Sequence, residues 1–125
     1  MPLGDQITIE KGLLRQLGYS VGADAPMRKD RRDTLQRVMR MRLQPGSLPE
    51  PYRSQWGEPD SQGRLMKLVH VLTALVRNAK RRRDGRMDLA VAQWESDLLW
   101  VKEAFYDRRY TFHWPSTDPD DAWYW

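Results

Sequence analysis

The chain has 125 residues, with 21 basic and 17 acidic side chains and no cysteine. That length suits one domain, and the missing thiols exclude disulfides, thiolate catalysis and thiolate metal ligation. No apolar run reaches the roughly eighteen residues of a membrane span, and residues 1–12 hold no apolar signal-peptide core. The expectation is a cytoplasmic protein with no membrane contact.

The net charge of +4 conceals a polarity along the chain. Residues 28–42 carry seven basic and two acidic groups, residues 77–86 six and one, and residues 87–125 three and eight. Asymmetry of this kind points to an acidic ligand more strongly than a uniform excess would. The apolar fraction of 40% includes six Trp and five Tyr. Each such ring brings roughly 150–250 Å² to bury, so any core must be rich in aromatic surface.

In chain order, Thr8 reads as the cap of a short helix that turns Leu13, Leu14 and Leu17 inward and stops at Gly18. A strand end over Ile7-Thr8-Ile9 is the competing reading. Tyr19 to Pro26 holds Gly22, Asp24 and Pro26 and reads as a loop. Residues 30–43 predict a second helix, capped by Asp30, with Leu35, Val38 and Met39 at helical spacing. Pro45-Gly46 stops it. Residues 44–60 then read as an ordered, proline-rich loop pinned by Leu48, Tyr52 and Trp56, which recur every four positions.

The third helix has Ser61 as its cap and a stripe of Leu65, Leu68, Leu72, Leu75 and Ala79. The fourth starts near Asp88 and repeats the pattern with Val91, Trp94, Leu98, Val101 and Phe105. Two matched stripes with a short polar connection predict a long antiparallel helical hairpin. A coiled-coil dimer is the alternative use of the same stripes. Residues 111–125 read as an extended or folded-back aromatic tail, because Pro115 blocks helix continuation. The expected fold is therefore mainly α: one small helical bundle over residues 1–125, built on that hairpin.

The functional lead is the basic tip between the two long helices: Arg77, Lys80, Arg81, Arg82, Arg83 and Arg86, against Asp84 alone. Cations at a helix C-terminus gain roughly 0.3–1 kcal/mol each from the dipole when exposed. That accounts for some of them, but six also repel one another. Phosphates would relieve the repulsion, and Arg grips phosphate bidentately. Arg28, Lys29, Arg31, Arg32, Arg37, Arg40 and Arg42 form a second cluster. Arg32, Arg37 and Arg40 lie off the apolar stripe and supply the other side of a groove if the clusters converge. The opposing account is neutralisation by the acidic C-terminal third: Asp97, Glu103, Asp107, Asp118, Asp120 and Asp121. Trp123 and Trp125 are the aromatic candidates for a partner-binding site.

Signals for catalysis are sparse. His70 and His113 form no recognisable metal pair, and no glycine-rich phosphate loop is present. Glu95, Asp97 and Glu103 read as a mostly solvent-facing scatter. No cofactor is implied. The leading expectation is non-enzymatic binding of nucleic-acid backbone within a larger assembly of bacterial type. The first alternative is an interaction, regulatory or inhibitor module for an acidic protein partner or a homodimer. The second is a metal-dependent nuclease.

Overall fold

The hydrophobic stripes of the sequence become helices packed around one another. A computed structural model describes residues 9–43, 50, 52–82 and 85–123. Among these residues lie α1 (Ile9–Gln16), α2 (Arg28–Arg40), α3 (Tyr52–Gln55), α4 (Gln62–Arg82) and α5 (Asp88–Val101). A π-helical turn, Lys102–Tyr106, continues α5, and no strand occurs among the described residues. The protein is thus mainly α. No helix among the described residues is long and apolar enough to cross a membrane.

Local chemistry explains most of the boundaries. Ile9 opens a helix rather than ending a strand, whereas Ile7 and Thr8 lie outside the described residues. At the far end of α1, Gly18 takes φ +91°, and the amides of Gly18 and Tyr19 donate to Arg15 and Leu14 carbonyls at 3.0 and 2.9 Å. This paired closure uses the left-handed conformation that glycine adopts cheaply. It delivers Tyr19 straight into the core, where it is 6% exposed.

The second helix begins at Arg28, ahead of the expected Asp30 cap, and Met27 at its N-cap makes no side-chain cap bond. Asp30 instead sits in the first turn, where a carboxylate favours the helix dipole. Ser61 does cap α4, its Oγ accepting the Arg64 amide at 3.1 Å. Much of the proline-rich loop, residues 44–49 and 51, lies outside the described residues. Within the 44–60 stretch Tyr52–Gln55 is helical rather than loop, and Trp56 is 1% exposed and anchors its segment in the core.

Buried side chains from α1, α2, α4 and α5, with Trp56 and Phe105, form one hydrophobic cluster. Two buried arginines tie its edges together. Arg64 donates to the carbonyls of Val38 (2.6 Å), Trp56 (2.7 Å), Met41 (2.8 Å) and Gly57 (3.0 Å). Its guanidinium thereby satisfies orphan carbonyls at the end of α2. Burial draws its pKa below the ordinary arginine value.

Arg31 solves the same problem with a carboxylate. Its Nε and Nη2 donate to Asp97 Oδ2 and Oδ1 at 2.8 and 3.2 Å, and its Nη1 donates to the Pro26 carbonyl at 2.9 Å. The Tyr19 hydroxyl donates to Asp97 Oδ2 at 2.8 Å. Asp97 is fully buried, so the expectation that it belongs to a solvent-facing scatter is corrected. The hydrogen bond to Asp97 raises the Arg31 pKa against the opposing effect of burial. The Tyr19 hydroxyl is pushed far above its ordinary value, first by burial and then by the Asp97 charge.

Two outcomes test this triad. Asp97→Ala strands a buried guanidinium and is expected to cost about 3–5 kcal/mol in urea unfolding, whereas Arg31→Met/Asp97→Leu recovers most of that loss. Tyr19 stays protonated in the folded state beyond the pH at which the unfolded chain ionises. Its contribution is therefore complete below pH about 10 and falls as pH rises further. Tyr19→Phe is expected to flatten that alkaline decline, measured as urea midpoint against pH.

Candidate nucleic-acid interface

The six basic residues of the tip do not share one environment. Arg77 projects from α4 into the C-terminal segment and is 6% exposed. Its Nη1 donates to the Ser116 carbonyl at 3.0 Å, and its Nη2 donates to those of Pro119 and Asp121 at 3.3 and 2.5 Å. The ring of Trp123 lies 5.2 Å from the same guanidinium and 4.8 Å from the His70 ring. One turn on, Lys80 Nζ donates to Glu95 Oε2 at 3.0 Å and to Thr117 Oγ1 at 3.2 Å, and the Thr117 hydroxyl donates to Glu95 at 2.7 Å. These two cations hold the tail against α4 and α5.

Tail carboxylates make no ion pair with Arg77. Asp121 Oδ2 accepts the Ser116 hydroxyl at 2.6 Å, and Asp118 Oδ1 accepts the Asp120 amide at 2.9 Å. Their bonds shape the tail itself. The aromatic residues upstream form a cluster in which Tyr106 packs on Phe112 and Trp114, both at 4.9 Å between ring centroids. The Tyr106 hydroxyl donates to the Phe112 carbonyl.

The last turn of α4 is different. Arg81 and Arg82 are exposed, and Arg81 Nη1 donates to its neighbour Asn78 Oδ1 at 2.9 Å. Among the described residues no carboxylate comes within ion-pair distance of either guanidinium. Arg86 is exposed beyond the turn and borders a cleft that Arg15 of α1 also borders. Arg83, Asp84 and Trp125 lie outside the described residues.

The 28–42 cluster also divides. Arg31 is consumed by the buried triad. Arg32 stands over the Trp100 ring at 5.8 Å, and Lys29 pairs with Asp33 at 3.5 Å. Arg40 lies 4.0 Å from Asp60, with both side chains well exposed. Arg37 is exposed on the same turn and shares a shallow depression with Asp33, Gln36 and Arg40. The bonds from Arg64 to Val38 and from the Asp60 amide to Met39 put this end of α2 beside the start of α4. From Arg64 to Arg81 the helical rise is about 26 Å at ~1.5 Å per residue. Arg37 and Arg40 thus flank one end of α4, and Arg81 and Arg82 occupy the other.

Sequence reasoning missed the apolar cleft beside Arg15 and Arg86. Its signal is present: Leu89 is a large apolar residue off the Met87–Val91–Trp94–Leu98 stripe, and it is 52% exposed. No group of three or more His, Cys, Asp or Glu suited to a metal ion occurs among the described residues.

Replacing Arg77 by Met keeps the aliphatic stem and removes every bond to the tail carbonyls. Charged hydrogen bonds contribute about 1.5–3 kcal/mol each. Hydrogen exchange over residues 116–123 is expected to accelerate at least about tenfold, with α2 amides unchanged. No family model, no curated protein and no solved structure matches this chain.

Proposed function

We propose that this chain binds nucleic-acid backbone without catalysing a reaction, as a component of a larger assembly. The contact surface is the end of α4 and the turn after it, which form the tip of an antiparallel hairpin when α4 and α5 are read as one unit. One observation carries this reading: Arg81 and Arg82 are both exposed in the last turn of α4, and no carboxylate of a described residue lies within ion-pair distance of either. Two acids of α5 are already paired, Glu95 with Lys80 and Asp97 with Arg31.

Adjacent guanidinium groups repel one another, and a phosphodiester relieves that repulsion while accepting two parallel hydrogen bonds. Arg77 and Lys80 bound the patch by holding the tail. Arg37 and Arg40, about 26 Å away along α4, act as a separate contact rather than the facing wall of a groove. A duplex covers that distance in about eight base pairs at ~3.4 Å each. Contacts of this type hold a backbone in place and carry no base information, so the binding is independent of sequence.

Fluorescence anisotropy with labelled single- and double-stranded DNA and RNA across a salt series tests the proposal. Binding is expected to be micromolar or tighter at low salt, with a log–log slope of about −0.9 per duplex phosphate neutralised. Arg81→Gln/Arg82→Gln is expected to reduce that slope by about one per side chain, with an unchanged circular dichroism spectrum. Affinity unaltered in this variant, or a complex indifferent to salt, excludes the assigned surface.

A further inference from the structure

Next to the basic turn lies a cleft of a different character. It opens between the end of α1, the 19–23 loop and the start of α5, with a volume of about 480 Å³. Tyr19 and Val21 from the loop, Leu75 from α4, and Met87 and Trp94 from the α5 side line it. The volume falls in the range of roughly 300–1,000 Å³ typical of ligand sites. Leu89 also lines the cleft and is 52% exposed. Arg15 and Arg86 stand at the rim, from two different elements, and no Asp or Glu lines the cleft.

We propose that this cleft docks an acidic, amphipathic segment of a protein partner, inserting apolar side chains between Arg15 and Arg86. Apolar walls offer nothing to a phosphodiester, so the cleft does not extend the backbone-binding surface. Arg15 and Arg86, the charged side chains among its lining residues, give the rim a positive charge. Carboxylates flanking an inserted Leu or Phe would meet it, and complementarity of this kind sets partner choice and encounter rate. Leu89, half exposed in the cleft lining, leaves apolar surface that a helical segment presenting anchors at i, i+3, i+4 and i+7 can cover. Met87, flexible at the cleft wall, lets the surface repack around such an anchor.

The probe is a fluorescein-labelled peptide with Leu and Phe at that helical spacing and Glu between them. Methyl-labelled methionine NMR follows Met87 in the full chain. The expected result is a saturable Met87 shift, binding weakened at least about tenfold by Leu89→Asp, and a smaller weakening by Arg15→Glu. Leu89 is half in water already, so Leu89→Asp retains the fold and its oligonucleotide affinity. Arg81→Gln/Arg82→Gln is expected to keep most of the peptide affinity, so failure of the backbone-binding reading leaves this one standing. A Met87 signal that never moves, equal binding by the peptide with Lys in place of Glu, or affinity indifferent to Leu89→Asp would overturn the proposal. So would a Met87 shift produced by dodecanoate but not by the peptide, which would assign the cleft to a small amphiphile.

Discussion

The fold closes around the buried bond between Arg31 and Asp97. Bringing both charges out of water costs several kcal/mol per ion. The bidentate geometry, the Tyr19 hydroxyl and the Pro26 carbonyl together offset that cost by supplying further hydrogen bonds to the buried charges. Three segments distant in sequence meet there: the loop after α1, the start of α2 and the middle of α5. Tyr19 is also a wall of the apolar cleft, and Trp94 lies one helical turn from Asp97. The shape of that cleft is therefore a consequence of a polar contact behind it.

Three buried arginines, Arg31, Arg64 and Arg77, show how little a basic count says about surface charge. One is met by a carboxylate, one by the carbonyls around the end of α2, and one by the carbonyls of the C-terminal tail. Five donors in a rigid fork make arginine suited to gathering several acceptors at once. Two of the three came from the clusters that suggested an anionic ligand. What remains for a partner is smaller and divided between the ends of α4.

The sequence carried the helices well where apolar periodicity and end signals agreed. The α4 stripe, the Ser61 cap and the Gly18 stop are all local patterns, and local patterns survive into the fold. Asp97 was not legible because its neighbours Glu95 and Ser96 are polar, and only a cationic partner 66 positions away makes its burial tolerable. Arg64 was equally silent, since the carbonyls it serves belong to backbone and leave no side-chain signature. The division of the 77–86 cluster depended on the path of the tail across α4, a long-range arrangement that spacing within the cluster cannot encode. The start of α2 moved because Met27 precedes it without a capping side chain, so Asp30 served the dipole rather than the boundary.

Arg77 grips the main chain at Ser116, Pro119 and Asp121 rather than any side chain there. Peptide carbonyls are common to every amino acid, so this seat is blind to the lettering of the strand lying in it. Substitutions in that stretch are tolerated as long as the path of the backbone persists. The clasp is also insulated from counterions that would loosen the neighbouring Lys80–Glu95 contact.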